Sequence, residues 1–173
     1  MPPDVVGQEL KQELRYGTES FLKNRRAIVG LSVFSTIALG GVALFQVGLL
    51  RKLPDPPLPN FDADSVNASP GAYSLLQTPD ALLGMASYAV TGCLAGMGRL
   101  DRSVTVRWIP LAMGVKTLCD ATLAGRMSIK QWTKLRRFSV WSLLVSGATF
   151  AALALAVPES KAALQVHKKH QSM

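Results

Sequence analysis

The stretch Ala27-Ile-Val-Gly-Leu-Ser-Val-Phe-Ser-Thr-Ile-Ala-Leu-Gly-Gly-Val-Ala-Leu-Phe-Gln-Val-Gly-Leu-Leu50 carries no charged side chain and exceeds the ~20 apolar residues that a helix needs to cross a bilayer. It reads as a transmembrane helix. A secretory signal would have a shorter apolar core and a small-residue cleavage site. This run instead follows polar, helix-prone sequence, so it reads as a retained anchor. Composition agrees: 49% hydrophobic residues and a mean hydropathy of +0.23 over 173 residues exceed what one soluble domain normally carries.

Working outward, Ala81–Gly98 is rich in Gly and Ala, which suits close helix contact in a bundle. Val104–Ala124 is interrupted by Arg107, Pro110, Lys116 and Asp120, and Phe138–Val157 is apolar again until Pro158 supplies a stop. The expected fold is therefore an all-α integral membrane protein, a four-helix transmembrane bundle with spans at about 27–50, 81–98, 104–124 and 138–157. Residues 1–26 form an amphipathic cytoplasmic segment, 27–158 the membrane domain, and 159–173 a basic tail.

Positive residues mark cytoplasmic loops. Lys23, Arg25 and Arg26 place the N-terminus inside, and Lys161, Lys168 and Lys169 hold the C-terminus there, as in a multi-pass cell-membrane protein. Arg126, Lys130, Lys134, Arg136 and Arg137 disagree with this scheme, because four spans put them in an outer loop; only a partner or lipid headgroups on that side would account for them. The net charge of +8 does not indicate nucleic acid, since the basic residues flank the spans. Val6, Leu10, Leu14 and Phe21 fall near one helical face, with Glu9, Lys11, Glu13 and Arg15 elsewhere. That pattern fits a helix on the membrane surface or one docking a partner subunit.

The first loop is punctuated by proline. Leu53-Pro54-Asp55-Pro56-Pro57-Leu58-Pro59 must be extended. Ser69-Pro70 then starts a short helix over 71–76, and Thr78-Pro79 launches the second span. An extended segment followed by a half-helix would form a lid over the bundle. The sequon Asn67-Ala68-Ser69 precedes Pro70 and reads as capping chemistry rather than glycosylation.

Phe61-Asp62-Ala63-Asp64-Ser65-Val66-Asn67-Ala68-Ser69-Pro70, followed by Pro79-Asp80-Ala81-Leu82-Leu83-Gly84-Met85-Ala86-Ser87-Tyr88-Ala89, resembles the vitamin K epoxide reductase family over roughly Ala27–Val157. The resemblance implies a four-helix membrane bundle that holds a quinone. A Cys-x-x-Cys at the outer start of the last span would reduce the quinone, and a loop cysteine would pass electrons from partner proteins. Carried over, the loop cysteine falls at Ala63 and the active-site pair at Phe138 and Trp141, within Phe138-Ser139-Val140-Trp141. Thiolate attack needs sulfur, which none of these residues has.

Two cysteines remain, Cys93 and Cys119, in the second and third apolar blocks. They read either as small side chains packed in a helix interface or as an alternative redox pair facing one another across adjacent helices. No metal or haem spacing is present, since the only histidines, His167 and His170, lie in the tail. Lys116 and Asp120 are four residues apart and share a helix face. Ionisable groups inside a membrane mark function by default; the alternative is a structural ion pair. With Gln46, Tyr88 and Ser87 they form a candidate site for a quinone carbonyl, with Phe138 and Trp141 as stacking surfaces or interface-belt aromatics.

Two readings follow. The first is a non-catalytic accessory or structural subunit of a membrane assembly, retaining the bundle and a quinone or lipid pocket. The second is a quinone-linked membrane oxidoreductase with a rewired redox centre, using Cys93 and Cys119 or relaying electrons from a partner's cofactor. Membrane lipid and other protein subunits are the expected partners; a transporter has only Lys116 and Asp120 in its favour.

Overall fold

A computed structural model describes residues 3–56, 60–73 and 77–171, and every described element with repeating backbone hydrogen bonds is helical. Helix α1 covers Pro3–Tyr16 and α2 Ser20–Gln46. In the loop that follows, α3 spans Ala63–Asn67 and a 3-10 turn spans Pro70–Tyr73. Helix α4 is Asp80–Gly96, α5 Arg102–Thr105, α6 Trp108–Lys130 and α7 Val140–Gln171. Pro57–Pro59 of the expected extended segment, Ser74–Leu76 of the expected short helix, and the side chains of His167, Lys168, Lys169 and His170 lie outside the described residues.

The four long helices pack in a closed ring: α2 contacts α4 and α7, and α6 contacts α4 and α7. Neighbours run antiparallel. Arg25 near the start of α2 bonds the last carbonyls of α4, and Gln46 at the end of α2 bonds Asp80 at the start of α4. Ser160 late in α7 likewise donates to the Pro110 carbonyl early in α6, at 2.7 Å. The core is built largely of small side chains, which lets the backbones approach closely. One cluster joins Ile28, Ala95, Met113, Ala152 and Ala156; another, towards the loop, joins Val42, Ala43, Leu53, Ala63 and Ala81. Of the long helices, α2 and α7 are apolar enough over sufficient length to cross a membrane by composition alone.

The element bounds differ from the expected spans for identifiable reasons. Helix α2 begins before Ala27, because the Arg25 side chain is buried and fully engaged by carbonyls instead of ending the helix. It stops at Gln46, before Leu50, because Gly48 adopts a left-handed conformation (φ 81°) and the amides of Leu49 and Leu50 turn back onto the Leu44 carbonyl. The third block starts as a separate short helix, α5. Pro110 then falls in the first turn of α6, where its missing N–H costs no helical bond.

The expected outer loop 125–137 is mostly helix. Helix α6 continues to Lys130 and a π-helical turn carries it to Leu135, where Arg136 at φ 52° ends it. Pro158 does not stop α7, which continues to Gln171. The residues after it are held in place: Glu159 pairs with Arg102, and Ser160 bonds both Pro110 and Ala156 carbonyls.

Candidate functional site

The loop between α2 and α4 is locked down by its own carboxylates. Asp62 N-caps α3, its Oδ1 accepting from the Ser65 amide at 2.9 Å. Asp64 accepts from the Leu53 amide at 2.9 Å, and Asp55 accepts from the Ala63 amide. Arg137, just before α7, forms an ion pair with Asp62. The loop meets the start of α7 through an isolated parallel bridge, in which Phe138 donates to Asn60 O at 2.8 Å and Asp62 donates to Phe138 O at 3.0 Å. Residues 60–63 and 138–141 are therefore brought side by side by backbone pairing.

Each of the three positions that the resemblance assigns to thiols has a packing role. Ala63 is 1% exposed within the apolar cluster of Val42, Leu53 and Ala81. Phe138 stacks on Trp132, with ring centroids 5.6 Å apart, and leans on Phe61 at 6.2 Å. Trp141 lies against Gly41 and donates its indole N–H to the Pro54 carbonyl at 3.0 Å. Between them sits Asn67, whose Nδ2 donates to Ala63 O at 2.8 Å and to the fully buried Ser139 Oγ at 3.1 Å. Its amide is thus consumed internally, in keeping with the reading of the sequon as structural.

The remaining candidate ligand residues fall into three separate hydrogen-bonded groups. Gln46 donates to Asp80 Oδ1 at 2.7 Å and to Asn67 O at 3.2 Å, and its Oε1 accepts from the Ala81 amide. Tyr88 on α4 bonds Thr149 on α7. On the α4–α6 side, Lys116 Nζ reaches Asp120 Oδ2 at 2.5 Å, Ser87 Oγ at 2.7 Å and Thr91 Oγ1 at 3.1 Å. Asp120 also accepts from Ser87, so the pair is neutralised and solvated by hydroxyls within the bundle. Cys93 and Cys119 are free and exposed on the outer surfaces of α4 and α6, so neither is packed in a helix interface. Among the described residues no group of three or more metal-ligating side chains occurs.

Two of the concavities that adjoin the loop bear on the site. An open one of about 530 Å³ is lined by Lys52, Leu53, Asp55, Asp62 and Asp64, and is polar on its acidic side. The other, about 510 Å³, is an apolar groove between α2 and α7 lined by Leu31, Phe34, Phe61, Leu143 and Ala148.

Sequence reading missed the Asn67–Ser139 bond, the Gln46–Asp80 pair and a buried ion pair between Arg102 and Glu159. Arg102 Nε and Glu159 Oε1 are 2.6 Å apart with both side chains almost wholly buried. The signal available for the last was Glu159 itself, the sole acidic residue after Asp120.

No curated protein matches the chain. The model of the vitamin K epoxide reductase family matches residues 26–157, and so takes in most of α2, all of α4 and α6, the loop that clasps them, and α7 as far as Val157. With thiols absent from residues 63, 138 and 141 and both cysteines exposed elsewhere, the chain belongs to the vitamin K epoxide reductase family and lacks its active-site cysteines.

Proposed function

We propose that this chain is a four-span membrane protein that keeps the family's bundle and loop but performs no thiol–disulfide chemistry, and that it serves as an accessory or structural subunit of a membrane assembly. The observation that carries the proposal is the use made of residues 63, 138 and 141. They hold the loop to α7 by apolar packing, the Phe61–Phe138 ring contact and an indole hydrogen bond, which is a fastening and not a redox relay.

Four spans are supported by the outward faces of the long helices. Ile37 on α2, Val90 on α4, Val115 and Leu118 on α6, and Phe150 on α7 are all exposed. A soluble domain does not ring itself with such side chains. An even span number and the charges before α2 support a reading with both termini on the cytoplasmic side of the cell membrane. The apolar groove between α2 and α7 is the surface best suited to a quinone or lipid tail, being open along the bundle and lined by Phe34, Phe61 and Leu143.

The test is purification of tagged protein in mild detergent, followed by mass spectrometry of co-purifying subunits and extracted quinones. Stoichiometric partner subunits are expected. A lone protein with bound quinone, together with a redox defect in the C93S/C119S variant, would overturn the accessory role in favour of a rewired oxidoreductase.

A further inference from the structure

Five basic residues crowd the far end of α6, and the function proposed above uses none of them. Arg126, Lys130 and Lys134 recur at i, i+4 and i+8 and are all exposed, so they form one stripe on the helical extension. Arg136 and Arg137 follow. Among the described residues only Arg137 meets a carboxylate, Asp62. The stripe is thus a concentration of like charge that this chain leaves unneutralised.

Exposed side chains of the opposite character flank it, Ile129 (64% exposed) and Trp132 (61% exposed) on one side and Met127 on the other. The depth of these residues follows from α6 itself. Trp108, at the other end of the helix, is also exposed. At 1.5 Å per residue the two tryptophans are about 36 Å apart along the axis. That separation matches a hydrocarbon core of ~30 Å flanked by interfacial tryptophans. The basic stripe therefore begins just inside one headgroup layer and runs through it, and Arg126 and Lys130 are long enough to extend their charges outward along the helix.

We propose that the α6 extension is a binding surface for anionic phospholipid headgroups, with Arg126, Lys130 and Lys134 contacting lipid phosphates while Ile129 sits among the upper acyl chains and Trp132 at their boundary with the headgroups. A soluble acidic partner would match the charge but not the adjoining apolar side chains, which lie at bilayer depth. The inference rests on α6 being a membrane span.

The test reconstitutes the full chain into vesicles of equimolar phosphatidylcholine and phosphatidylglycerol, extracts it in mild detergent and quantifies the retained lipids. Enrichment of phosphatidylglycerol of about fivefold or more is expected, the preference that even one basic side chain contributes at an anionic surface. It should fall towards the input ratio in R126Q/K130Q/K134Q and in 0.5 M salt, and persist in K11Q/R15Q at the opposite end. The salt series on the native chain keeps the test valid if the triple variant folds poorly. Equal retention of the two lipids by the native chain, or undiminished enrichment in a folded triple variant, overturns the proposal. So does an acidic subunit that co-purifies with the native chain and not with the variant while lipid retention stays unselective. A carbonate wash separates the two levels: a chain washed out of the vesicles defeats the span reading, whereas an embedded chain without enrichment defeats only the lipid surface.

Discussion

Arg102 shows how much one side chain carries in this fold. It is fully buried, pairs with Glu159 through two hydrogen bonds of 2.6 and 2.7 Å, and donates to the Leu94 and Met97 carbonyls at the end of α4. It thereby ties α4, α5 and α7 together at one point. Replacing it by Gln leaves a buried carboxylate without its cation, a change that costs about 3–5 kcal/mol. R102Q is expected to melt several degrees below the native chain in detergent; E159Q should lose less, because the Arg102 guanidinium it strands is still held by the Leu94, Ala95 and Met97 carbonyls. Asp62 gives a second residue-scale expectation. The Ser65 amide at the start of α3, and then Arg137, hold its carboxyl below the ordinary aspartate range. Because the folded value is the lower one, the stabilisation is present above about pH 3.9 and disappears as pH falls through the folded value. The melting temperature of the native chain should fall as pH drops below about 3.9, and this acid-dependent fall should be smaller in D62A.

At the scale of elements, the contacts between helices depend on missing side chains as much as on present ones. A Cβ at Gly114 of α6 would sit 2.5 Å from Ser160 Oγ of α7. That hydroxyl is pinned by its bonds to Pro110 and Ala156. G114A should therefore destabilise the α6–α7 pair by about 1–3 kcal/mol, the usual cost of overpacking, measurable as a lower melting temperature. Helix α1 is attached differently. Arg99 pairs with Glu9 at 3.0 Å and with Glu13 at 2.5 Å, and Arg26 donates to Leu14 O. These ion pairs are partly exposed, and water and salt screen such pairs until they contribute little to global stability. R99A should leave global melting nearly unchanged while speeding proteolysis near Gly17–Glu19, and high salt should mimic it in the native chain.

For the molecule as a whole, the expectation is that sulfur is dispensable. Cys93 and Cys119 face outward, and no described contact of the bundle uses them. C93S/C119S should match the native chain in melting temperature and in the subunits that co-purify with it. The helical class, the extent of the family match and the absence of the family's active-site cysteines were legible in the sequence, because hydropathy, loop motifs and the identities of residues 63, 138 and 141 are local properties. Helix ends were less so. The reading carried the first span past Gly48 to Leu50, and Pro158 and the basic residues after Arg126 also misled, because local propensity yields to contacts made elsewhere. Tertiary structure alone decided that Arg102 is a buried partner of Glu159, 57 residues away, and not a loop charge, and that Asn67 joins the loop to Ser139 across 72 residues. The physical reason is that a polar group's partner is chosen by where packing leaves it without water, and packing is a property of the assembled bundle.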